Sequence, residues 1–294
     1  MVQIFRPDFL RKLALLLAAL TVAGANAAEL KLDTPADSLI ALRKIQCSLK
    51  DGEIVTWGWN GDAFGRYPGE PDRLLFKVTG MNIRRCGPLG DHKDGSFKLI
   101  SREIMLYQDP KTGEVLRTWD NPWTGKQVKV VHVSNDPVNQ RITGTDRSGR
   151  PFQLLPTVNG DQWWLSQTVP LYYRNALGGD YQDYVGGKYQ ATEMFNFFGD
   201  VADLKNPRII SAAVRIGWVR ISNWLPWMAM GDRPGFIYFH TAGRKMQRYE
   251  DLPAALRAEI AANYPIYAGP PPLDDERPNE TSWTWFKKVT AVAP

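Results

Sequence analysis

From residue 97 onward the chain is a series of β-branched and aromatic runs, several of which alternate apolar and polar positions with a period of two. Turn-forming clusters interrupt the alternation about every ten residues, the signature of a meander of hairpins. Residues 97–107 (FKLISREIMLY), 114–119, 126–134, 139–145 and 150–155 read as strands. Between them lie Asp109-Pro110-Lys111-Thr112-Gly113, Asn121-Pro122-Trp123-Thr124-Gly125 and Asn135-Asp136-Pro137. In such clusters Pro presets φ and Gly accepts a positive φ. Further strands are predicted at 162–173, 188–198, 208–222, 235–240 and 282–290. The period changes to that of a helix at 251–263, where Leu256 and Ile260 stand four apart, and at 35–45. So many antiparallel strands must hide their edges, and closing the sheet on itself does so. The predicted fold is therefore all-β and mainly antiparallel, a large calycin-like β-barrel with one or two short helices. A β-sandwich is the alternative.

The N-terminal stretch carries a different pattern. Arg6, Arg11 and Lys12 precede an apolar run, Leu13 to Ala23, that is too short to cross a bilayer. Ala25-Asn26-Ala27 then offers a small–x–small cleavage site. Residues 1–27 are read as a cleaved signal peptide and 28–294 as a single domain, which places the protein in the periplasm or outside the cell. Loss of Arg6, Arg11, Lys12 and Asp8 lowers the formal charge from +5 to +3. That is a mixed-charge surface with no Lys/Arg run longer than two, so neither a nucleic-acid partner nor stable membrane insertion is expected. Cys47 and Cys86 remain after cleavage, and an even count in an oxidising compartment predicts a disulfide.

Several phrases, NPWTGKQVKVVHVSNDPVN (121–139), FNFFGD (195–200), the run from Trp218 to His240 and NETSWTWFK (279–287), resemble an exported bacterial and fungal family described only as a domain of unknown function. The resemblance spans most of residues 100–290. It implies no activity, cofactor or site residue.

The candidate chemistry comes from polar residues on apolar strand faces. The eleven tryptophans fall in five groups, among them Trp57/Trp59, Trp163/Trp164 and Trp283/Trp285. Two-residue spacing puts Trp57 with Trp59, and Trp283 with Trp285, on one strand face, which fits an aromatic-lined pocket or an ordinary core. In 188–198, Tyr189, Ala191, Glu193, Phe195 and Phe197 share a face. A carboxylate there is disfavoured in its charged form and moves toward the range useful for acid–base work. His240 shares a face with Phe236 and Tyr238, and His132 with Val128 and Val130. Glu193, His240 and His132 are the candidate catalytic residues. Tyr172, Arg215, Trp218, Tyr238 and Trp164 are the candidate substrate-binding residues, with Arg215 also a candidate ion-pair partner of Glu193. Histidines 92, 132 and 240 show no metal-binding spacing, and no nucleophile elbow, P-loop or dinucleotide fingerprint stands in the chain. No metal or cofactor is expected. The function read from these residues is binding of a hydrophobic or aromatic small molecule, with cofactor-independent isomerase, hydratase or lyase chemistry. A non-catalytic carrier or a carbohydrate-binding envelope protein is the alternative.

Overall fold

The computed structural model describes residues 29–146, 148–174 and 188–291; the predicted signal peptide and the side chains of residues 172–174 and 188 lie outside that description. The strands are β1 (Val55–Arg66), β2 (Arg73–Pro88), β3 (Phe97–Gln108), β4 (Thr118–Asp120), β5 (Gln127–Lys129), β6 (Val133–Asn135), β7 (Gln140–Ile142), β8 (Thr157–Asn159), β9 (Gln162–Arg174), β10 (Lys188–Asp200), β11 (Arg215–Ser222) and β12 (Phe236–Met246). The helices are α1 (Pro35–Gln46), α2 (Val201–Lys205), α3 (Ala254–Asn263) and α4 (Ser282–Ala291).

Ten strands form one antiparallel sheet in the order β6-β3-β2-β1-β12-β11-β10-β9-β8, with β7 also on β3, while β4 and β5 pair separately. The all-β expectation holds. Residues from both ends of this order line one common cavity, so the sheet curls around a lumen. It does not close: among the described residues no strand pairs with the far side of β9 beyond the short β8, and β6 and β7 form the opposite margin. One large curled sheet also replaces the two facing sheets of a sandwich.

β1 and β2 fall where the alternation predicts no strand. β2 is buried on both faces for most of its length, and polar Thr79 and Asn82 are buried with its apolar residues, so its sequence shows no clean alternation. Its outer face, with that of β3, packs Met81, Ile83, Ile104 and Leu106 against Leu256 and Ile260 of α3. β1 is interrupted by Gly58, Gly61 and Gly65, which erase its pattern. The strand predicted at 282–290 is helix α4. Its apolar residues obey the helical period: Trp283 and Phe286, three apart, are the buried pair.

Two different plugs end the lumen. At one end a short 3-10 turn, Pro226–Met228, brings Trp227 and Met228 into a cluster with Trp224, Phe76, Tyr107 and Phe239, joined by Trp283 and Phe286. At the other, α1 packs Ala41 and Ile45 on Val55, Trp57, Trp163 and Phe197. Thr34 caps α1 by accepting from the Asp37 N–H, and Pro35 occupies its first turn. Lys245 Nζ donates to Lys44 O and Cys47 O at its C-terminal end, satisfying carbonyls the helix leaves unpaired. The Cys47–Cys86 disulfide ties this end of α1 to β2. It closes a loop of 39 residues, worth about 4 kcal/mol in the chain-entropy picture.

Candidate functional site

Between the two plugs the lumen keeps a cavity of about 320 Å³. Its walls follow from strand alternation: Trp57 and Trp59 from β1, Glu193, Phe195 and Phe197 from β10, and Ile216, Trp218 and Arg220 from β11. The other wall is more polar, with Asn82 and Arg84 from β2 and Ser101 and Glu103 from β3; Gln46 comes from α1. At the unclosed seam, Val133 and Gln140 line it on one margin and Gln167 and Val169 on the other. Gly80 makes room for the aromatic wall. A Cβ at that position would come within 2.6 Å of the Trp59 indole.

Three polar groups are built into this cavity. In the first, Arg220 donates from Nη1 to Glu193 Oε1 at 3.0 Å and from Nη2 to the Tyr189 hydroxyl at 2.6 Å. The Tyr189 ring packs edge-on against Trp283, with centroids 4.2 Å apart. Burial raises the Glu193 pKa; Arg220 pulls it down and Glu103 pushes it up again, leaving it above the usual carboxylate range. Burial acts downward on Arg220, but Tyr189 and Glu193 outweigh it and hold the guanidinium firmly protonated. In the second group, Asn135 Nδ2 donates to Glu103 Oε1 at 2.7 Å. In the third, Arg84 donates to Asn82 Oδ1 at 2.7 Å and to Gln46 Oε1 at 2.6 Å, with its guanidinium over the Trp57 ring. The Trp59 and Trp218 indole N–H groups and Arg220 Nε are buried without a protein acceptor. Such donors are expensive to leave unmatched.

Of the residues singled out in the sequence, Glu193 and Trp218 line the cavity. His240 does not meet Glu193. It is exposed on the outer face of β12, opposite Asp62 and Val219, while Ile237 and Phe239 are the buried neighbours. Tyr238 shares that outer face, stacked on Phe64 and donating to Asp72 Oδ2 at 2.8 Å. Arg215 is exposed at the start of β11 and is not the partner of Glu193; Arg220 is. Residues 208–214 are not strand, so parity counted from Ile209 does not carry into β11. Trp164 lies opposite Thr157 and Phe198 and has the parity opposite to the cavity residues Gln167 and Val169. Tyr172 stands opposite Gln190 on β9, and its side chain lies outside the described residues. His132 is buried but does not line the cavity. Its Nδ1 accepts from the Tyr107 N–H at 3.1 Å and its ring stacks on Tyr107. Burial first, and Arg117 second, press its pKa down to about 4, so it is a neutral core histidine at neutral pH.

Arg84, Glu103, Tyr189 and Arg220 are the site residues that the residue patterns missed as such. Counting by two from Trp218 reaches Arg220. Both faces of β11 are partly apolar, however, and the pattern alone does not choose between them. No group of three or more potential metal ligands occurs among the described residues, and no helix among them is long and apolar enough to cross a membrane.

A family model described as "Protein of unknown function (DUF1838)" matches residues 52–290, and the chain belongs to that family. The match takes in every strand of the curled sheet and leaves α1 outside. Comparison with curated proteins finds no match.

Proposed function

We propose that this member of the DUF1838 family takes a small molecule with an aromatic or apolar body into its lumen and moves a proton on it without a cofactor, with Glu193 as the proton-transfer group. One observation carries the reading: a cavity-lining carboxylate whose burial raises its pKa is held by Arg220, itself fixed by the Tyr189 hydroxyl, rather than left to solvent. A raised pKa brings a carboxyl group toward the range where it can both take and return a proton. Trp218 and Phe195, with centroids 6.4 Å apart, offer the neighbouring apolar surface. Glu103 supplies a second carboxylate in the same cavity. Export to an oxidising compartment fits the Cys47–Cys86 bridge.

Solvent exchange tests the reading without knowledge of the product. Aromatic ketones with an acidic C–H, phenylacetone among them, are incubated with the protein in D₂O, and loss of the C–H signal is followed by proton NMR. The expected result is protein-dependent exchange that Glu193→Gln abolishes while binding, read by tryptophan fluorescence, persists. Binding with no exchange in either protein would leave a carrier. The exposed position of His240, which removes the acid expected opposite Glu193, favours that second reading.

A further inference from the structure

The two cavity arginines are treated differently by the fold. Arg220 has a carboxylate and a phenol. Arg84 has only neutral acceptors, the side-chain oxygens of Asn82 and Gln46, and no ion pair among the described residues. Its Nη2 has no protein acceptor there. Glu103 attracts it without contact while its Oε1 is occupied by Asn135, and burial still lowers the Arg84 pKa to about 10. A buried cation without a counter-ion is costly and is ordinarily paired. The Arg84 guanidinium lies over Trp57, and it faces the same space as Ser101 and the aromatic wall.

We propose that the ligand of this cavity carries a carboxylate that docks on Arg84, with its apolar or aromatic body extending toward Trp59, Phe195 and Trp218. The planar fork of a guanidinium matches a carboxylate with two parallel N–H···O bonds, and Nη2 together with the second N–H of Nη1 is left for it. The Asn82 and Gln46 oxygens fix the orientation of the fork, so the charge is presented in one direction. The body then runs from the α1 end of the lumen toward Glu193. The ligand class is an aromatic or short apolar carboxylic acid, of a size that about 320 Å³ can hold. This inference rests on the reading of the lumen as a binding cavity but not on catalysis by Glu193.

The test compares matched pairs by isothermal titration calorimetry: 3-phenylpropanoate against 3-phenylpropanamide, and indole-3-acetate against its amide. Each acid is expected to bind wild-type protein on the order of 10–100-fold more tightly than its amide, the usual gain of a charge-assisted bidentate contact. Arg84→Gln should bring acid and amide to within about twofold of each other, chiefly by weakening the acid. Arg84→Lys should keep part of the preference, because it keeps charge but loses the fork. A circular dichroism spectrum like that of the wild type, with the disulfide intact, shows that each variant folds. Amides that bind as well as acids would overturn the anion anchor and leave the cavity reading in place. An acid preference that survives Arg84→Gln would overturn the assignment to Arg84. Failure of acids, amides and the neutral ketones alike would overturn both.

Discussion

The two halves of the lumen are built by the same strands and end in opposite states. At the end closed by the 226–228 turn, Phe76, Tyr107, Trp227 and Phe239 pack ring against ring; Tyr107 and Trp227 lie 5.2 Å apart and Phe76 and Trp227 5.6 Å. At the end closed by α1, the same inward faces carry Arg84, Asn82, Glu103 and Trp57 around open space. Strand alternation explains why all these side chains point inward, but not why one half is filled. The difference lies in what the connections insert. The segment after β11 delivers Trp224, Trp227 and Met228 into its end. Helix α1 delivers the small Ala41, Ile45 and a polar Gln46 into the other. Two guanidinium groups, Arg84 and Arg220, and two carboxylates, Glu103 and Glu193, on the walls then resist collapse, because closing the space would strip their remaining hydration.

The largest expected effect comes from emptying the filled end. Trp227→Ala should lower unfolding free energy by about 3–5 kcal/mol, the usual cost of removing a large core aromatic. Trp59→Ala, on the cavity wall, should cost about half as much, since it enlarges a space that already exists. Urea denaturation of both variants measures the contrast, and equal losses would mean that the two ends are packed alike.

Arg220→Met comes next. It leaves Glu193 buried without its cation and should cost roughly 3 kcal/mol at neutral pH. Glu193→Gln should cost clearly less, because burial disfavours the charged carboxyl and offsets part of what its ion pair contributes. The Arg220→Met deficit should shrink on acidification as Glu193 takes up a proton, and denaturation curves at neutral and acid pH would show it.

The smallest effect concerns titration, where the two ends should behave in opposite senses. His132, at the packed end, has a folded pKa of about 4 against 6.5 in the unfolded chain. Its contribution is present above the unfolded value and is lost as pH falls through 6.5 toward 4, by up to roughly 3 kcal/mol. Glu193, in the cavity, is raised: its contribution is full below its unfolded value and is lost as pH rises through its folded one. Part of each slope cancels in the intact protein. His132→Leu should remove the loss seen as pH falls and Glu193→Gln the loss seen as pH rises through the folded Glu193 value, both readable as pH profiles of the denaturation midpoint.

Much of this arrangement is written in local patterns. The β10 alternation alone puts Glu193, Phe195 and Phe197 on one face, and the cavity contains all three. The two-residue spacing of Trp57 and Trp59 does the same on β1, and both residues line the wall. Cysteine parity and compartment lead to the bridge that forms. What is not legible depends on neighbours far along the chain. β2 hides its strand character because α3 covers the face that would otherwise be polar. The 282–290 segment, with aromatics at 283, 285 and 286, fits two periods, and packing of Trp283 on Tyr189 selects the helix. His240 and Phe239 are equally good inward candidates by type. Only the pairing of β12 with β1 and β11 decides that phenylalanine goes in and histidine out.

The unclosed seam between β9 and the β6/β7 margin has a consequence for exchange with solvent. In a fully closed barrel a molecule reaching the lumen through the wall must wait for strands to part, and motions that break several ladder bonds belong to microseconds or longer. Here the margins facing each other across the cavity are Val133 and Gln140 on one side and Gln167 and Val169 on the other. No ladder hydrogen bond joins those margins among the described residues. Among the described residues no ladder bond between them has to break, and rotamer changes of exposed side chains take picoseconds to nanoseconds. Under the proposed function, the seam separates the rate of loading from the number of ladder bonds that hold the sheet.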